Sequence, residues 1–246
     1  MADFARINKN EQASNNNALT HIALILDGNR RFAVSQGLAK LTGHDAGAKN
    51  LEILLPHLAE KGVTQITLYI FSTENFARPA DETKHLFSLF EHYFTDQKII
   101  QRFKSEGAQM RFIGNMSLFP PKVQAAARNA AQDTQNCKRL IVNFVMGYGG
   151  REEITHAVRN IAKKIKDGSL SPDSITEKTI QDNLYIQDEP QLIIRTGGEM
   201  RTSNFLPWQT VYSEWFFVEK FWPQLTTQDI DDIIEQFKKR KRNFGK

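Results

Sequence analysis

A carboxylate and two adjacent arginines follow an apolar run in the stretch HIALILDGNRRFA (21–33). Asp27 stands directly after the apolar residues, and Arg30 and Arg31 come shortly after it. A guanidinium pairs with phosphate oxygens through parallel hydrogen bonds, and backbone N–H groups of a glycine-containing loop that opens a helix add further donors for an anion. The same Asp-Gly-Asn sequence is also ordinary turn chemistry, so this segment alone leaves a turn and a phosphate site open.

Three further segments of this kind follow apolar runs: STENFARP (72–79), MGYGGRE (146–152) and RTGGEMRTSNF (195–205). Because ligands of open α/β sheets bind outside the carboxyl ends of the strands, these polar residues are expected to lie together. The cations expected there are Arg31, Arg78, Arg195, Arg201, Lys40 and His44, although His44 alone is equally typical of an exposed position in the first turn of a helix. Several cations in one place suit a ligand with more than one phosphate.

Four carboxylates are expected at the same edge of the sheet: Asp27, Glu74, Glu199 and Glu214. Hard oxygen ligands beside phosphates are typical of Mg²⁺, which takes one or two protein carboxylates and completes its shell with water and phosphate. No thiolate or paired-histidine spacing indicates zinc. The sequence therefore predicts a magnesium site beside the phosphate-binding residues.

Alternating strand and helix patterns predict the elements that must position these residues. Short β-rich runs predict strands over 22–26, 65–71, 109–113, 139–145, 191–195 and 214–218. Helical patterns cover 43–62, 81–107, 121–134, 151–168 and 226–242, with Asp81 as the expected N-cap of the second. This alternation favours a single α/β domain with a mostly parallel central sheet of about six strands flanked by helices.

Composition sets limits on the class of protein. The 246 residues suffice for one sizeable core, and the charge of +4 is mixed along the chain, which disfavours a nucleic-acid-binding role. A single cysteine, Cys137, excludes an internal disulfide and fits a reducing cytoplasm. No apolar run reaches the ~18 residues of a membrane span. Residues 1–20 lack the apolar core of a signal peptide, so we expect a flexible tail followed by a domain over 21–246.

Six motifs taken together resemble the cis-prenyltransferases. They are HIALILDGNRRFA, GHDAG, LYIFSTENFARP, GYGGRE, IIRTGGEMRTSNFLPWQ and YSEWFF with a later WP, in the same order over about 20–245. The resemblance implies transfer of an allylic prenyl diphosphate, such as farnesyl diphosphate, onto isopentenyl diphosphate, repeated to give a cis-polyprenyl diphosphate of undecaprenyl length or shorter. It also implies Mg²⁺, a homodimer and an open α/β fold.

The resemblance assigns roles residue by residue. Asp27 would be the central catalytic carboxylate beside Mg²⁺, and Glu214 would bind the metal of the partner subunit. Asn75 occupies the position often assigned to proton removal; a neutral amide is a poor base, so released diphosphate is the alternative acceptor. The allylic diphosphate would be held by Gly28, Asn29, Arg30 and Arg31, with Lys40 and His44 helping. The reacting centre would be lined by Ser72, Glu74, Asn75, Phe76 and Arg78, and the isopentenyl diphosphate would be held by Arg195, Arg201 and Ser203. Phe32, Thr73 and Thr202 complete the predicted substrate-binding set.

The growing chain is apolar, so the resemblance also implies a hydrophobic tunnel beside the charged mouth. Candidates on the long helix are Leu86, Phe87, Leu89, Phe90 and Phe94, which would serve equally well as plain core. The sequence departs from the family pattern at Arg30, Phe32, Ile70, Phe76, Lys40, Met200 and Asn243. Ile70 stands where alanine is usual, and with the phenylalanines it predicts a narrower or shorter tunnel and a product shorter than undecaprenyl.

Two other functions stay open at this point. One is a non-catalytic partner subunit of the same fold, against which the joint retention of Asp27, Arg31, Ser72, Asn75 and Glu214 argues. The other is an RNA-binding protein that uses the basic segment 238–246, for which binding would depend steeply on salt. For the enzyme we also expect transient contact with a membrane surface when an insoluble product leaves.

Overall fold

A six-stranded sheet forms the centre of the computed structural model, which describes residues 18–240. The strands are β1 (His21–Ile25), β2 (Gln65–Ser72), β3 (Ala108–Ile113), β4 (Leu140–Tyr148), β5 (Leu192–Arg195) and β6 (Glu214–Phe217). Their order across the sheet is β3-β4-β2-β1-β5-β6, and every neighbouring pair is parallel. The predicted parallel α/β architecture is confirmed. Strand β4 runs on to Tyr148, so that Met146 and Gly147 extend a strand where the sequence suggested a loop.

Parallel strands must be joined by crossovers, and helices supply most of them here. The helices are α1 (Asn29–Ser35), α2 (Thr42–Glu60), α3 (Ala80–Thr95), α4 (Gln97–Ser105), α5 (Pro121–Thr134), α6 (Gly150–Lys166), α7 (Glu177–Gln181) and α8 (Thr227–Lys239). Single 3₁₀ turns occupy Thr73–Ala77, Met116–Leu118, Pro172–Ser174 and Trp222–Gln224. Helix α1 immediately follows the first polar segment, and neither it nor α7 was among the predicted helices.

The predicted helix over 81–107 is two helices, and this expectation was wrong. Asp96 has φ −65° and ψ 112°, and its carboxylate accepts a hydrogen bond from the backbone N–H of Lys98 at 2.7 Å. Aspartate offers the backbone this alternative to a helical bond, so α3 ends and α4 begins around Asp96. The predicted N-cap was also wrong, because α3 begins at Ala80 with Pro79 before it, and Asp81 lies in the first turn.

The sheet is covered on both faces, which explains why its central strands are apolar throughout. Every residue of β1 and β5 is buried. The larger core packs α2, α3, α5 and α8 on one face, and the smaller core places Phe205 and Leu206 on the other. Of the predicted tail, residues 1–17 lie outside the described part of the chain, and Ala18 and Thr20 are hydrogen-bonded to the side chain of Gln191. In residues 18–240 no helix is long and apolar enough to cross a membrane.

Candidate active site

Asp27 lies just beyond the carboxyl end of β1, between two arginines. Its Oδ2 accepts a hydrogen bond from Nη2 of Arg195 at 2.9 Å, and its Oδ1 accepts one from Nη2 of Arg31 at 3.3 Å. The Arg195 side chain is 3% exposed, whereas that of Asp27 is 31% exposed. The buried Arg195 guanidinium therefore orients the Asp27 carboxylate, and the exposed part of that carboxylate stays accessible to a ligand.

Gly28 makes the sharp turn from β1 into α1. Its φ is +100°, a conformation that other residues adopt only at a cost, and a Cβ here would lie 2.6 Å from Cδ1 of Phe221. The backbone oxygen of Asp27 accepts hydrogen bonds from Oγ1 of Thr196 at 2.8 Å and from N–H of Trp222 at 2.9 Å. The turn is therefore stabilised by hydrogen bonds from two other segments, the one after β5 and the one after β6.

Glu82 forms a second centre of charge at the start of α3. Its Oε2 lies 3.0 Å from Nη1 of Arg30, and its Oε1 lies 3.1 Å from Nη1 of Arg78 and 3.3 Å from Nε2 of His44. Burial, and next the Arg78 charge, lower the pKa of His44, while Glu82 acts in the opposite direction. The imidazole is therefore neutral at pH 7.

The segment after β2 is ordered by its own side chains. The side-chain Oδ1 of Asn75 accepts a hydrogen bond from the backbone N–H of Ser72 at 3.1 Å and closes a capping box over the 3₁₀ turn Thr73–Ala77. Partial burial acts to raise the pKa of Glu74, but hydrogen bonds from its own backbone and from Ser72, Asn204 and Thr73 together lower it. Glu74 is therefore a carboxylate at neutral pH.

The segment after β5 is held in an unusual backbone conformation. Ser203, Asn204 and Leu206 all have positive φ, at 50°, 62° and 49°, which costs energy for residues other than glycine. Phe205 is fully buried and stacks on Tyr69 with ring centroids 4.5 Å apart. This anchor keeps Oγ of Ser203 within 2.7 Å of the Arg195 guanidinium, which also donates to the backbone oxygen of Arg201.

A cavity of about 740 Å³ begins at these groups and passes between the sheet and two helices. Its polar end is lined by Asp27, Gly28, Asn29, Arg30, Arg31, His44, Ser72, Glu74, Asn75, Arg78, Arg195, Arg201, Ser203 and Asn204. Its apolar end is lined by Ala48 and Leu51 of α2, Leu86, Leu89, Phe90, Tyr93 and Phe94 of α3, and Ile70 and Phe144 of the sheet. A cationic mouth thus opens into an apolar interior.

Comparison with known proteins agrees with this arrangement. The family model described as "Putative undecaprenyl diphosphate synthase" matches residues 25–245. The chain belongs to this prenyltransferase family. The tritrans,polycis-undecaprenyl-diphosphate synthase (geranylgeranyl-diphosphate specific) of Methanopyrus kandleri is 42% identical over 92% of this chain and 84% of its own length. The isoprenyl transferase of Streptococcus thermophilus is 38% identical over 96% of this chain and 97% of its own.

Among solved structures, the fold is shared with lavandulyl diphosphate synthase from Lavandula x intermedia, crystallised with dimethylallyl diphosphate. The TM-score is 0.90 at 31% identity, and the match covers 94% of this chain and 99% of that chain. The cis-prenyltransferase resemblance, the enzyme class and the activity of cis-prenyl chain elongation are therefore confirmed. The individual residue roles stay predictions.

Six of the predicted site residues of this prenyltransferase do not line the cavity: Phe32, Lys40, Thr73, Phe76, Thr202 and Glu214. Lys40 and Thr202 are exposed, and Thr73 donates to Oε2 of Glu74 at 3.2 Å. Phe76 belongs to an aromatic cluster with Phe71, at a centroid distance of 4.8 Å. Phe87 joins the same cluster, whereas the other four tunnel candidates line the cavity.

Glu214 is not at the sheet edge where the sequence analysis placed it, and that expectation was wrong. It is the first residue of β6 and pairs with Leu192, the first residue of β5, whereas Arg195 ends β5 at the Asp27 edge. Because the strands are parallel, the length of β6 separates Glu214 from the mouth of its own subunit. Its carboxylate accepts a hydrogen bond from Nη1 of Arg240 at 2.6 Å.

The metal-binding potential of the prenyltransferase site rests on Asp27. Within residues 18–240 no group of three or more histidine, cysteine, aspartate or glutamate side chains is placed to hold a metal ion. Mg²⁺ needs one or two protein carboxylates when diphosphate and water supply its other ligands. The partly exposed carboxylate of Asp27 beside a phosphate-binding mouth fits that requirement. The residues present therefore suit an Mg²⁺ ion that is shared with a diphosphate, and not a metal ion held by protein ligands alone.

Sequence reasoning missed three residues of the site. Glu82 reads as a helix-start acid, Asn204 as a turn residue and Trp222 as a core aromatic. The structure places Asn204 where its Nδ2 donates to Oε1 of Glu74 at 3.3 Å, and Trp222 where it lines the cavity beside Gly28. A usable signal existed for Asn204, within the RTSNFLPWQ motif, and for Trp222, within the WP motif; Glu82 is distant in sequence from its partners Arg30 and His44.

Proposed function

We propose that this enzyme condenses an allylic prenyl diphosphate, such as farnesyl diphosphate, with isopentenyl diphosphate and repeats the step to build a cis-polyprenyl diphosphate. The observation that supports this most is the position of Asp27, held by Arg195 and Arg31 at the cationic mouth of an apolar cavity. A diphosphate suits the mouth and a hydrocarbon chain suits the interior.

The allylic diphosphate is held at the amino end of α1 by backbone N–H groups after Gly28 and by Arg30 and Arg31. As the allylic C–O bond breaks, negative charge develops on the leaving diphosphate, and these cations stabilise it there. Asp27, together with the diphosphate, would hold Mg²⁺ here, and the ion would add positive charge beside the leaving group. Asp27 is oriented for this role by Arg195, whose burial keeps it in place.

Isopentenyl diphosphate is held on the other side of Asp27 by Arg195, Arg201 and Ser203. Its double bond attacks the allylic carbon, and one proton must then leave the new chain. The side-chain Oδ1 of Asn75 already accepts a hydrogen bond from the backbone N–H of Ser72, and a neutral amide is a weak base. We therefore assign Asn75 to positioning and the released diphosphate to accepting the proton.

The apolar end of the cavity serves as the tunnel for the growing chain, and its size favours a product shorter than undecaprenyl. A cavity of about 150 Å³ holds one benzene, or roughly 25 Å³ per carbon. On that scale the whole cavity of about 740 Å³, charged mouth included, has room for roughly 30 non-hydrogen atoms, fewer than an undecaprenyl chain alone contains. The Methanopyrus relative is named as an undecaprenyl-diphosphate synthase, so product length is where this enzyme would differ from it.

We further propose a cytoplasmic homodimer in which Glu214 reaches the partner subunit's metal. The position of Glu214 at the far end of β6 supports a role outside its own mouth. Val211 and Tyr212, just before β6, are large exposed side chains that suit a subunit contact. The terminal motif with Asn243, and residues 241–246 of the basic segment, lie outside the described residues. An insoluble product would leave by transient contact with a membrane surface.

The test is turnover of the purified full-length chain with radiolabelled isopentenyl diphosphate and Mg²⁺, started with farnesyl or geranylgeranyl diphosphate. Wild type is expected to form polyprenyl diphosphates that are sized after phosphatase treatment. Asp27→Asn keeps an acceptor for Arg195 and is expected to lose about 10²-fold or more in kcat, measured at a temperature where its circular dichroism matches that of wild type. Absence of turnover by wild type with either starter would refute the proposal and favour a non-catalytic partner subunit.

A further inference from the structure

Glu82 is a buried carboxylate that joins three elements at the mouth of the cavity. It is 4% exposed and lies in the first turns of α3. Its partners come from elsewhere: Arg30 from α1, His44 from α2 and Arg78 from the connection before α3, all within 3.3 Å of a carboxylate oxygen. Burying a carboxylate costs free energy unless it is paired, and here the three partners together meet that cost.

The three partners line the cavity, but Glu82 is not among the lining residues. Within residues 18–240, Glu82 is the only hydrogen-bond partner of the Arg30 and Arg78 guanidiniums. Each guanidinium has five N–H donors, so donors remain on both for phosphate oxygens. The Arg30 side chain is 50% exposed, which leaves its outer side open to the cavity and solvent.

Without Glu82, Arg30 and Arg78 would repel each other at the short separation that a shared anion requires. With Glu82 in place, the positive charges of Arg30 and Arg78 face one negative charge, and His44 is neutral. The cluster of four side chains therefore keeps a net positive charge beside the cavity. The other cations have carboxylates of their own: Asp27 contacts Arg31 and Arg195, and Glu199 contacts Arg31 and Arg201. The mouth therefore contains two groups of cations that share no carboxylate.

We infer that Glu82 is a positioning residue that holds Arg30, Arg78 and His44 as a preformed receptor for the diphosphate of the allylic substrate. The inference rests on the proposed function, because it takes from that function which substrate occupies this side of the mouth. The contribution of Arg30 depends on its side chain, because a glycine at this position would have nothing to reach Glu82. Glu82 touches no substrate itself and acts through these three side chains.

The test is steady-state kinetics of Glu82→Gln, with farnesyl diphosphate and isopentenyl diphosphate varied in turn. Glutamine has nearly the same shape but cannot hold two guanidiniums by charge. The KM for farnesyl diphosphate is expected to rise on the order of tenfold to a hundredfold, because misplaced binding groups lose that much. The KM for isopentenyl diphosphate is expected to stay unchanged, since its cations Arg195 and Arg201 contact Asp27 and Glu199 and not Glu82.

A matched control is Asp231→Asn. Asp231 also bridges a histidine and a cation, with Oδ1 2.8 Å from Nε2 of His57 and 2.7 Å from Nζ of Lys61, but it does not line the cavity. Both KM values are expected to match wild type in this variant. If Glu82→Gln is insoluble, Glu82→Asp is measured instead; its shorter side chain cannot span Arg30 and Arg78 together.

A double-mutant cycle with Arg30→Gln separates positioning from general support of the fold. If Glu82 acts partly through Arg30, the effects of Glu82→Gln and Arg30→Gln on the KM for farnesyl diphosphate are less than additive. The positioning role would be overturned by additive effects in this cycle, or by equal rises in the KM values for farnesyl and isopentenyl diphosphate in Glu82→Gln. Binding of inorganic pyrophosphate by calorimetry gives an arm that does not need turnover: weaker binding by Glu82→Gln supports the receptor even if the proposed condensation fails, and unchanged binding refutes it.

Discussion

Truncation of Phe94 to alanine should lengthen the product by about one isoprene unit. Phe94 is 3% exposed near the end of α3, and the Phe112 and Phe144 rings lie behind it at centroid distances of 4.7 Å and 5.6 Å. Helix α3 begins at the charged mouth, and at ~1.5 Å per residue Phe94 lies roughly 20 Å along it. Phe94 therefore forms part of the inner wall of the cavity.

The magnitude follows from the ring that is removed. Phenylalanine to alanine deletes six carbons, the size of benzene, and so opens about 150 Å³. Added to a cavity of about 740 Å³, this space accommodates roughly one five-carbon unit at ~25 Å³ per carbon. The same truncation is expected to cost about 3–5 kcal/mol of the free energy of unfolding, so the assay is run well below the melting temperature of the variant.

The assay compares product lengths of wild type and Phe94→Ala by thin-layer chromatography of the dephosphorylated polyprenols at equal total turnover. Phe237→Ala is the matched control, since Phe237 is 1% exposed on α8 and does not line the cavity. We expect that variant to lose similar stability and to keep the wild-type product. An unchanged product in Phe94→Ala, or an equal shift in both variants, would refute the view that this wall limits the chain.

Three further predictions concern the mouth and the sheet. Gly28→Ala is expected to lower kcat/KM by about 10²-fold, because its Cβ would lie 2.6 Å from Phe221 at φ +100° and would displace the turn that carries Asp27; wild-type kinetics in this variant would refute the role of the turn. Arg195→Lys keeps the charge but loses the fork that reaches both Asp27 and Ser203, so a rise in the KM for isopentenyl diphosphate is expected, and an unchanged KM would contradict it. Burial lowers the pKa of His21 from 6.5 to about 4, with the Asp188 charge acting against it. The unfolded chain therefore binds the proton first as pH falls, and roughly 3 kcal/mol of stability is lost between pH 6.5 and pH 4. Urea unfolding across that range is expected to show a smaller loss for His21→Gln, and identical pH dependence in both proteins would contradict the assignment.

The arrangement of elements follows largely from local sequence. All six strands were predictable because buried parallel strands require continuous apolar runs. The polar segments after β1, β2 and β5 could then be predicted to lie at one edge, because parallel strands all end on the same side of the sheet. Asp27, Arg31, Arg78 and Arg195 were found in this way. The break at Asp96 was not, because a single aspartate is tolerated in a helix and ends one only when its carboxylate takes the next backbone N–H, as it does with Lys98.

The sequence by itself determined the six strands, the longer helical segments apart from the break at Asp96, the chemistry of the mouth and the resemblance that goes with it. Those properties depend on residue type and short-range spacing. Tertiary structure alone decided that Glu82 meets Arg30, Arg78 and His44, and that Glu214 begins β6 at the opposite edge from Asp27. Contacts between residues far apart in the chain depend on how helices pack on the sheet and on strand register, and local periodicity predicts neither of them.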